Sequence, residues 1–325
     1  MNGPKILISF DLPSVYIKRI EDISINVKVQ KSQDEKELLE LIEDADILLA
    51  GIFSREMLLA ANKLKWIQTT GAGVERFLFP EIIKSHIVIT SASGIHPIPV
   101  AEHTLGMILC FCRKLHIFIR NQMEGKWERR SFLSSIREGE GVEELCGKTV
   151  GIVGLGRIGT EIAKEAKALG ARVVATKRDQ FHQTGETRII PLENLKELLA
   201  ESDFVVLSPP LTKETEGMIG EAELRSMKKT GYLINVSRGK VVQEDKLIQA
   251  LKEGWIAGAG LDVFETEPLP TSSELWKMKN VIITPHLAGA TPLYLERLTD
   301  IFCENLRRFL KKDPLINVVD KSIGY

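Results

Sequence analysis

The sequence predicts an α/β protein with two doubly wound parallel-sheet domains. Short apolar runs alternate with amphipathic stretches along most of the chain, as in parallel strands joined by helices. Several runs are apolar throughout, which is required of strands covered on both faces of a sheet. The 325 residues correspond to two domains at roughly 150 residues each.

The N-terminal series of elements predicts the first sheet. Its predicted strands are KILISF, INVKVQ, DILLA, WIQTT and IVIT. Helical spacing of apolar residues occurs at Pro13–Glu21, in DEKELLELIED and around Arg55–Ala61.

A second and longer series predicts the second sheet. Its strands are KTVGIVG, ARVVAT, FVVLS, GYLINV, WIAGAGLDV and NVIIT. The helices predicted between them are Arg157–Leu169, Glu193–Ala200, Glu221–Met227 and Glu244–Lys252.

A single long helix, about Pro99–Gln122, is predicted to connect the two series. A less regular stretch, Gly125–Gly147, follows, in which SSIREGEGVEE is predicted to be an exposed loop. One more helix, Pro292–Lys311, ends the chain without a following strand, so we expect it to pack on the first domain. The predicted domains are therefore 1–98 with 289–325, and 99–288.

Composition excludes several classes of protein. Lys and Arg number 43 against 44 Asp and Glu, so the formal net charge is −1. This balance argues against a nucleic-acid or anionic-membrane surface covering the protein, although a local basic pocket stays open. Hydrophobic content of 44% and charged content of 27% are those of a globular chain.

The sequence predicts a cytoplasmic protein with no membrane span and no metal site. The longest apolar run, residues 103–119, is interrupted by Arg113 and Lys114, and no secretion leader begins the chain. Four cysteines are too sparse for a disulfide framework, which indicates a reducing compartment. Cys112 and His116 have helical metal-pair spacing, but two further ligands are not evident.

GLGRIG, at Gly154–Gly159, predicts a dinucleotide site. It follows a predicted strand, opens a helix, and the next strand ends about 20 residues later. Gly154 allows the tight turn, Gly156 lets the backbone approach the pyrophosphate, and Gly159 permits close helix–strand packing. The helix N-terminus supplies N–H donors to the phosphates. A P-loop motif is absent from the sequence.

The chain resembles the D-isomer-specific 2-hydroxyacid dehydrogenases over most of its length. The matching stretches, in family order, are QTTGAGVERF, HPIPVAEHTLGMIL, ELCGKTVGIVGLGRIG, LSPPLTKETEGMI, INVSRGKVV, GAGLDVFETEP and ITPHLAGAT. The resemblance implies a Rossmann nucleotide domain inserted into a flavodoxin-like substrate domain.

Reduction of a 2-keto acid requires a held carboxylate, a polarised carbonyl and a delivered proton. Arg238 follows a buried strand, and its planar fork suits bidentate binding of a carboxylate. His286 also follows a strand, and an imidazole transfers protons near neutral pH. Glu265 and Glu267 are equal candidates, from the residues alone, for the carboxylate beside it. The resemblance implies catalysis by Arg238, His286 and Glu267.

The resemblance extends to the binding residues. Backbone around Ala72, Gly73 and Val74, with Arg238, is implied to hold the substrate carboxylate; the glycine-rich turn GAG is able to form an anion nest. Asp262 is implied to bond the nicotinamide carboxamide. The cofactor residues expected on these grounds are Gly154, Leu155, Gly156, Arg157, Ile158, Gly159, Thr176, Lys177, Arg178, Pro209, Pro210, Thr215, Asn235, Val236, Ser237, Asp262, His286, Ala288 and Gly289.

The second strand of the nucleotide domain predicts NADP in preference to NAD, with NAD still possible. An NAD site usually ends this strand with a carboxylate that binds the adenine ribose. Here the strand ends in Thr176, followed by Lys177 and Arg178, whose charges attract a 2′-phosphate. Asp179 would take the ribose instead if the strand ended two residues later.

The predicted function is hydride transfer between a nicotinamide cofactor and a small 2-keto or 2-hydroxy acid of D configuration, with glyoxylate or hydroxypyruvate favoured. Phosphoglycerate dehydrogenase, the formate or phosphite branch, and a nucleotide-sensing binding protein resembling the co-repressors remain alternatives. The resemblance and the apolar connector helix predict a homodimer. Neither nucleic acid nor membrane is expected as a partner.

Overall fold

The computed structural model describes residues 3–129, 132–133, 141–177 and 187–324. The chain divides into two compact units. Unit 1 contains Met1–His96 and Thr291–Tyr325, and unit 2 contains Pro97–Ala290. These bounds lie two residues from the predicted domain boundaries at each crossing.

Unit 1 is a five-stranded parallel sheet with helices on both faces. The strands are β1 (Lys5–Ile8), β2 (Lys28–Lys31), β3 (Ile47–Ala50), β4 (Trp66–Thr69) and β5 (Val88–Thr90). Their order in the sheet is β2-β1-β3-β4-β5, the doubly wound order of flavodoxin-like folds. The helices are Ser14–Glu21, Glu35–Ile42, Arg55–Ala60, Pro80–Lys84 and Tyr294–Lys311.

Local chemistry accounts for several of these elements. Asp34 caps the second helix, because its carboxylate accepts the N–H groups of Lys36 and Glu37 at 3.0 Å. Two apolar layers, one on each face of the sheet, form the core of the unit. The C-terminal helix completes one layer, where Phe302 stacks on Trp66 with ring centroids 5.2 Å apart.

Unit 2 is a seven-stranded parallel sheet. The strands are β6 (Thr149–Val153), β7 (Arg172–Thr176), β8 (Arg188–Ile190), β9 (Phe204–Leu207), β10 (Tyr232–Asn235), β11 (Gly258–Leu261) and β12 (Val281–Ile283). Their order in the sheet is β12-β11-β10-β9-β6-β7-β8, so the chain adds strands on one side of β6 and then on the other, as in a Rossmann fold. The helices are Pro97–Cys112, Leu115–Met123, Arg157–Ala168, Leu195–Glu201, Glu221–Ser226 and Glu244–Glu253, and 3₁₀ turns of this unit lie at Leu192–Asn194, Gly239–Val241 and Glu274–Lys277. A further 3₁₀ turn, Glu75–Phe77, lies in unit 1. The predicted fold class is confirmed.

The predicted continuous connector helix is wrong. Pro97–Cys112 and Leu115–Met123 are separate helices, because Lys114 adopts a left-handed backbone with φ 55°. Two contacts accompany this break: Lys114 Nζ donates to the Tyr232 hydroxyl at 3.1 Å, and His116 Nδ1 lies 3.2 Å from the carbonyl oxygen of Cys110. No glycine or proline marks the position in the sequence.

Two smaller elements also differ from prediction. The short strand Arg188–Ile190 pairs with β7 at the edge of the sheet, and the helix Pro80–Lys84 precedes β5. Both are too short to show a period in the sequence. Of the loop predicted over residues 125–147, positions 130–131 and 134–140 lie outside the described residues.

Candidate active site

The glycine turn after β6 has the geometry of a phosphate cradle. Gly154 has φ +98°, a left-handed conformation that favours glycine. A Cβ on Gly159 would lie 2.4 Å from the carbonyl oxygen of Gly154, so the helix Arg157–Ala168 passes too close for any larger residue. A Cβ on Gly156 would meet nothing within 4 Å. The backbone at Gly156 is therefore open to a ligand, while Leu155, Arg157 and Ile158 fill the rest of the turn.

Thr176, at the end of β7, supports this turn. Its Oγ1 accepts the N–H of Gly154 at 3.1 Å, and its carbonyl accepts the N–H of Leu155 at 2.8 Å. With 2% exposure, the threonine serves the glycine turn rather than the surface on which a 2′-phosphate was expected to meet it. Lys177 follows it and is half-buried, whereas Arg178 and Asp179 lie outside the described residues.

The segment after β9 lies against the same turn. Ser208 Oγ donates to the carbonyl of Gly154 at 2.8 Å, and a Cβ on Gly154 would lie 2.9 Å from the nitrogen of Pro209. Thr215 closes this segment, because its Oγ1 donates to the carbonyl of Pro210 at 2.6 Å. The predicted residues at 154–159 and 209–215 therefore share one edge of the sheet at the point where the strand order reverses, which is where such folds bind ligands.

A polar turn at the end of β10 carries Arg238. Asn235 is buried, and its side-chain oxygen accepts the N–H and Oγ–H of Ser237 at 3.1 and 2.8 Å. Its amide nitrogen donates to the carbonyl of Arg238 at 3.0 Å. The guanidinium is itself oriented by a 2.8 Å bond from Nη1 to the carbonyl of Ser237. Val236, within the same turn, is buried.

His286 lies beside Glu267 and not beside Glu265. Its Nδ1 is 2.7 Å from Glu267 Oε2, and Glu267 Oε1 accepts the N–H of Phe264 at 3.0 Å. Glu265 instead accepts the N–H of Glu244 at 3.2 Å and donates its own N–H to the Glu244 carboxylate at 3.1 Å. The structure thus separates two glutamates that were equal candidates from the residues alone.

Asp262, directly after β11, holds the segment that carries His286. With 1% exposure, its carboxylate accepts the N–H groups of Leu287 and Ala288, each at 2.9 Å. Its backbone carbonyl accepts the N–H of His286 at 2.8 Å. His286 has φ 54°, a strained conformation for a non-glycine residue that persists only when its surroundings enforce it. Gly289 follows in the same segment.

Asp262 also accepts a third hydrogen bond, from Thr284 Oγ1 at 2.6 Å. Sequence reasoning missed this positioning role and treated the aspartate only as a contact for the nicotinamide. The one available signal is that Asp262 and His286 each follow a strand of the same sheet.

The three residues expected to hold a carboxylate in unit 1 follow β4. Thr69 Oγ1 and the N–H of Ala92 both bond the carbonyl of Gly71, at 2.9 Å each, which fixes this turn. Within the described part of unit 1, the N–H groups of Ala72, Gly73 and Val74 donate to no protein acceptor. These three successive donors are what a backbone anion nest requires.

The described residues contain neither a metal-binding cluster nor a membrane-spanning helix. Residues 3–129, 132–133, 141–177 and 187–324 contain no group of three His, Cys, Asp or Glu side chains that could hold a metal ion. Within those same ranges, every helix is too short or too polar to pass through a bilayer.

Comparison with known proteins decides the family. Residues 105–288 match the family model described as D-isomer specific 2-hydroxyacid dehydrogenase, NAD binding domain. The chain belongs to the D-isomer specific 2-hydroxyacid dehydrogenases. Its turn at Gly154–Gly159 fits the dinucleotide of that family, because the backbone at Gly156 is open where the pyrophosphate needs close approach.

The similarity of this 2-hydroxyacid dehydrogenase to its relatives covers nearly the whole chain. It is 38% identical to a glyoxylate reductase of Thermococcus litoralis, over 98% of each chain. It is 37% identical to a glyoxylate reductase of Thermofilum pendens, over 99% of this chain and 96% of the relative. A D-isomer specific 2-hydroxyacid dehydrogenase from Xanthobacter autotrophicus Py2, solved with NADPH and MES, is 28% identical with a TM-score of 0.85, over 99% of this chain and 100% of that one.

The predicted enzyme class is therefore confirmed. The chain is an oxidoreductase that transfers a hydride between a nicotinamide dinucleotide and a 2-keto or 2-hydroxy acid. The roles of its individual residues follow as proposals.

Proposed function

We propose that the enzyme reduces small 2-keto acids such as glyoxylate or hydroxypyruvate to D-2-hydroxy acids, with NADPH preferred. The observation that carries the proposal is the pair of His286 Nδ1 and Glu267 Oε2 at 2.7 Å, at the carboxyl edge of the sheet that also carries Arg238. The glyoxylate reductases that match this chain over nearly its full length support the choice of substrate.

His286 delivers the proton in this mechanism. Glu267 is an acceptor when ionised, so Nδ1 holds a proton toward it and Nε2 is the nitrogen that serves the substrate oxygen. When bound, the nicotinamide supplies or accepts the hydride. His286 acts as acid during reduction and as base during oxidation.

Arg238 holds and polarises the keto acid. The bond from Nη1 to Ser237 fixes the plane of the guanidinium, and a planar fork matches a carboxylate with its adjacent carbonyl oxygen. We also propose that the N–H groups of Ala72, Gly73 and Val74 form a carboxylate-binding nest within unit 1.

The preference for NADPH rests on the end of β7. The described residues of this strand and its end, Arg172–Lys177, contain no carboxylate that would repel a 2′-phosphate. Lys177 and Arg178 bring positive charge there, while Thr176 holds the glycine turn. The Xanthobacter relative was solved with NADPH, which is consistent with this assignment.

A homodimer in the cytoplasm completes the proposal. Apolar side chains are exposed on the helix Leu115–Met123 and just after it, with Met123 at 83% and Trp127 at 89%. A second copy of the chain would cover this apolar surface. Cys110, Cys112, Cys146 and Cys303 are all free thiols, as expected in a reducing compartment.

A substrate panel tests the proposed function. Glyoxylate, hydroxypyruvate, pyruvate and phosphohydroxypyruvate are each assayed with NADPH and with NADH. We expect turnover with glyoxylate or hydroxypyruvate and the highest kcat/KM with NADPH. Phosphohydroxypyruvate as the best substrate would indicate a phosphoglycerate dehydrogenase. No turnover on any keto acid, with cofactor binding intact, would favour a nucleotide-sensing protein.

A further inference from the structure

We propose that His103 is a positioning residue for His286, acting through Thr284 and Asp262. His103 lies on the helix Pro97–Cys112 in unit 2, and its side chain is 23% exposed. Its Nε2 is 3.0 Å from Thr284 Oγ1 and 3.8 Å from Asp262 Oδ1. This inference rests on the proposed role of His286 in proton transfer.

Counting protons gives the chain of hydrogen bonds a direction. Thr284 has one hydroxyl proton. Because an ionised carboxylate can only accept, Thr284 Oγ1 donates this proton to Asp262 Oδ1 across the 2.6 Å distance. Thr284 Oγ1 must therefore accept from His103, so Nε2 of His103 carries a proton. The direction is from His103 to Thr284 to Asp262.

The end of this chain is the backbone that carries His286. Asp262 accepts the N–H groups of Leu287 and Ala288 on its two carboxylate oxygens and that of His286 on its carbonyl. Those three consecutive bonds enforce the left-handed φ of His286. The bond from His103 orients the Thr284 hydroxyl, and that hydroxyl fixes the carboxylate on which the segment depends.

This role predicts a loss in kcat with little change in binding. A catalytic group misplaced by about 1 Å can lose on the order of 100-fold in rate. For His103→Leu we expect at least a ~10-fold fall in kcat, with KM for glyoxylate and Kd for NADPH within about three-fold of wild type. His103→Leu with wild-type kcat would overturn the proposal.

Conservative variants separate positioning from packing. Gln places an amide N–H where the imidazole Nε2–H lies, so His103→Gln should recover most of the kcat. Thr284→Ser keeps the hydroxyl and should stay near wild type, whereas Thr284→Val should behave like His103→Leu. Thr104→Val is the control on the same helix, since it removes a hydroxyl that, among the described residues, bonds the carbonyl of Val100 and not the chain to Asp262. A loss in His103→Gln as large as in His103→Leu would assign the residue to packing and overturn the inference.

The double variant His103→Leu/Thr284→Val tests whether the two residues act as one chain. If they do, its kcat equals that of the poorer single variant, because the second change removes an interaction already broken. A double variant whose loss in kcat equals the product of the two single losses would show that His103 and Thr284 act independently, and would contradict the proposed chain of hydrogen bonds.

A readout without turnover separates this inference from the proposed function. Amide hydrogen exchange at Leu287 and Ala288 should be faster in His103→Leu than in wild type, while Thr104→Val should not change it. Faster exchange in an enzyme that turns over none of the keto acids would leave the positioning role standing and reject the proposed function. Unchanged exchange in His103→Leu would reject the positioning role whatever the activity.

Discussion

Glu267 bonds two partners with its two carboxylate oxygens: His286 Nδ1 lies 2.7 Å from Oε2, and the N–H of Phe264 donates to Oε1 at 3.0 Å. The backbone bond holds the carboxylate in place even without the imidazole. The imidazole of His286 thus faces a carboxylate that the backbone already orients.

Replacing His286 or Arg238 should abolish useful turnover but leave cofactor binding nearly intact. His286→Ala removes the proposed proton donor, for which we expect a loss of about 10²–10⁴-fold in kcat. Arg238→Ala should lose at least about 100-fold, and Arg238→Lys should also be poor, because an ammonium is a point charge and not a fork. Kd for NADPH should stay within about three-fold by fluorescence titration.

His86→Ala is the control for those variants, because it removes an exposed imidazole from unit 1. Reduction of a keto acid by His286→Ala at nearly the wild-type rate would exclude the proposed proton transfer.

The two neighbouring glutamates should respond differently to loss of charge. Glu267→Gln replaces a charge-assisted hydrogen bond to the imidazole with a neutral one, which is worth about ten-fold in kcat. Glu265→Gln is the matched control, because Glu265 bonds Glu244 instead. Steady-state kinetics on one keto acid compare the two variants. Equal effects, or a larger one at Glu265, would contradict the assignment of Glu267.

The cofactor preference should depend on Lys177 and Arg178. One charge-assisted hydrogen bond contributes roughly 1.5–3 kcal/mol, so loss of two such bonds should reduce or reverse the preference. We expect Lys177→Ala/Arg178→Ala to lose kcat/KM for NADPH while keeping that for NADH.

Lys164→Ala/Lys167→Ala removes the same charge from a helix of the same unit and controls for a general electrostatic effect. A wild-type preference for NADH, or an unchanged preference in the Lys177/Arg178 double variant, would refute this assignment of the phosphate site.

We expect a second copy of the chain to cover the exposed apolar surface at residues 118–127, which would give a homodimer. Light scattering at micromolar concentration should give about twice the chain mass of 36.3 kDa. Met123→Glu should weaken the dimer, because a charge would be buried in an apolar interface. Ile25→Lys, at a fully exposed isoleucine of unit 1, should leave the mass unchanged. A 36.3 kDa wild-type particle would exclude the dimer.

Asp203 should stabilise unit 2 at neutral pH and not in acid. Partial burial raises the pKa of its carboxyl, but hydrogen bonds from Lys228 and the N–H of Thr149, at 2.7 and 2.8 Å, outweigh this, so the pKa lies below its usual value. The ionised form is thus favoured in the folded state. Its contribution is complete above the ordinary aspartate pKa of about 3.9 and is lost as the pH falls through the lowered value.

Asp203→Asn should therefore lower the free energy of unfolding by about 1 kcal/mol at pH 7, with the difference from wild type shrinking below pH ~4. Urea unfolding at several pH values measures it. Asp11→Asn, which breaks an exposed ion pair with Lys31, should change stability little. A difference that persists undiminished in acid would contradict the role of the Asp203 charge.

The sequence by itself determined the fold class, the succession of the main strands along the chain, and the glycine turn. These follow from local patterns: apolar runs bounded by polar residues, and three glycines at a spacing that one strand–turn–helix unit requires. It also determined which residues follow the strands. Arg238, Asp262 and His286 each follow a strand, so they lie near one edge of a sheet.

Only the tertiary structure decided which of these residues bond one another. Glu267 and Glu265 are two positions apart, and the choice between them depends on where the ends of β11 and β12 lie side by side. His103 reaches Thr284 across 181 residues, and Lys114, at the helix break, donates to Tyr232, 118 residues further on. Such bonds depend on how strands and helices pack. Packing brings together residues that are far apart in the sequence, and no local sequence pattern relates them.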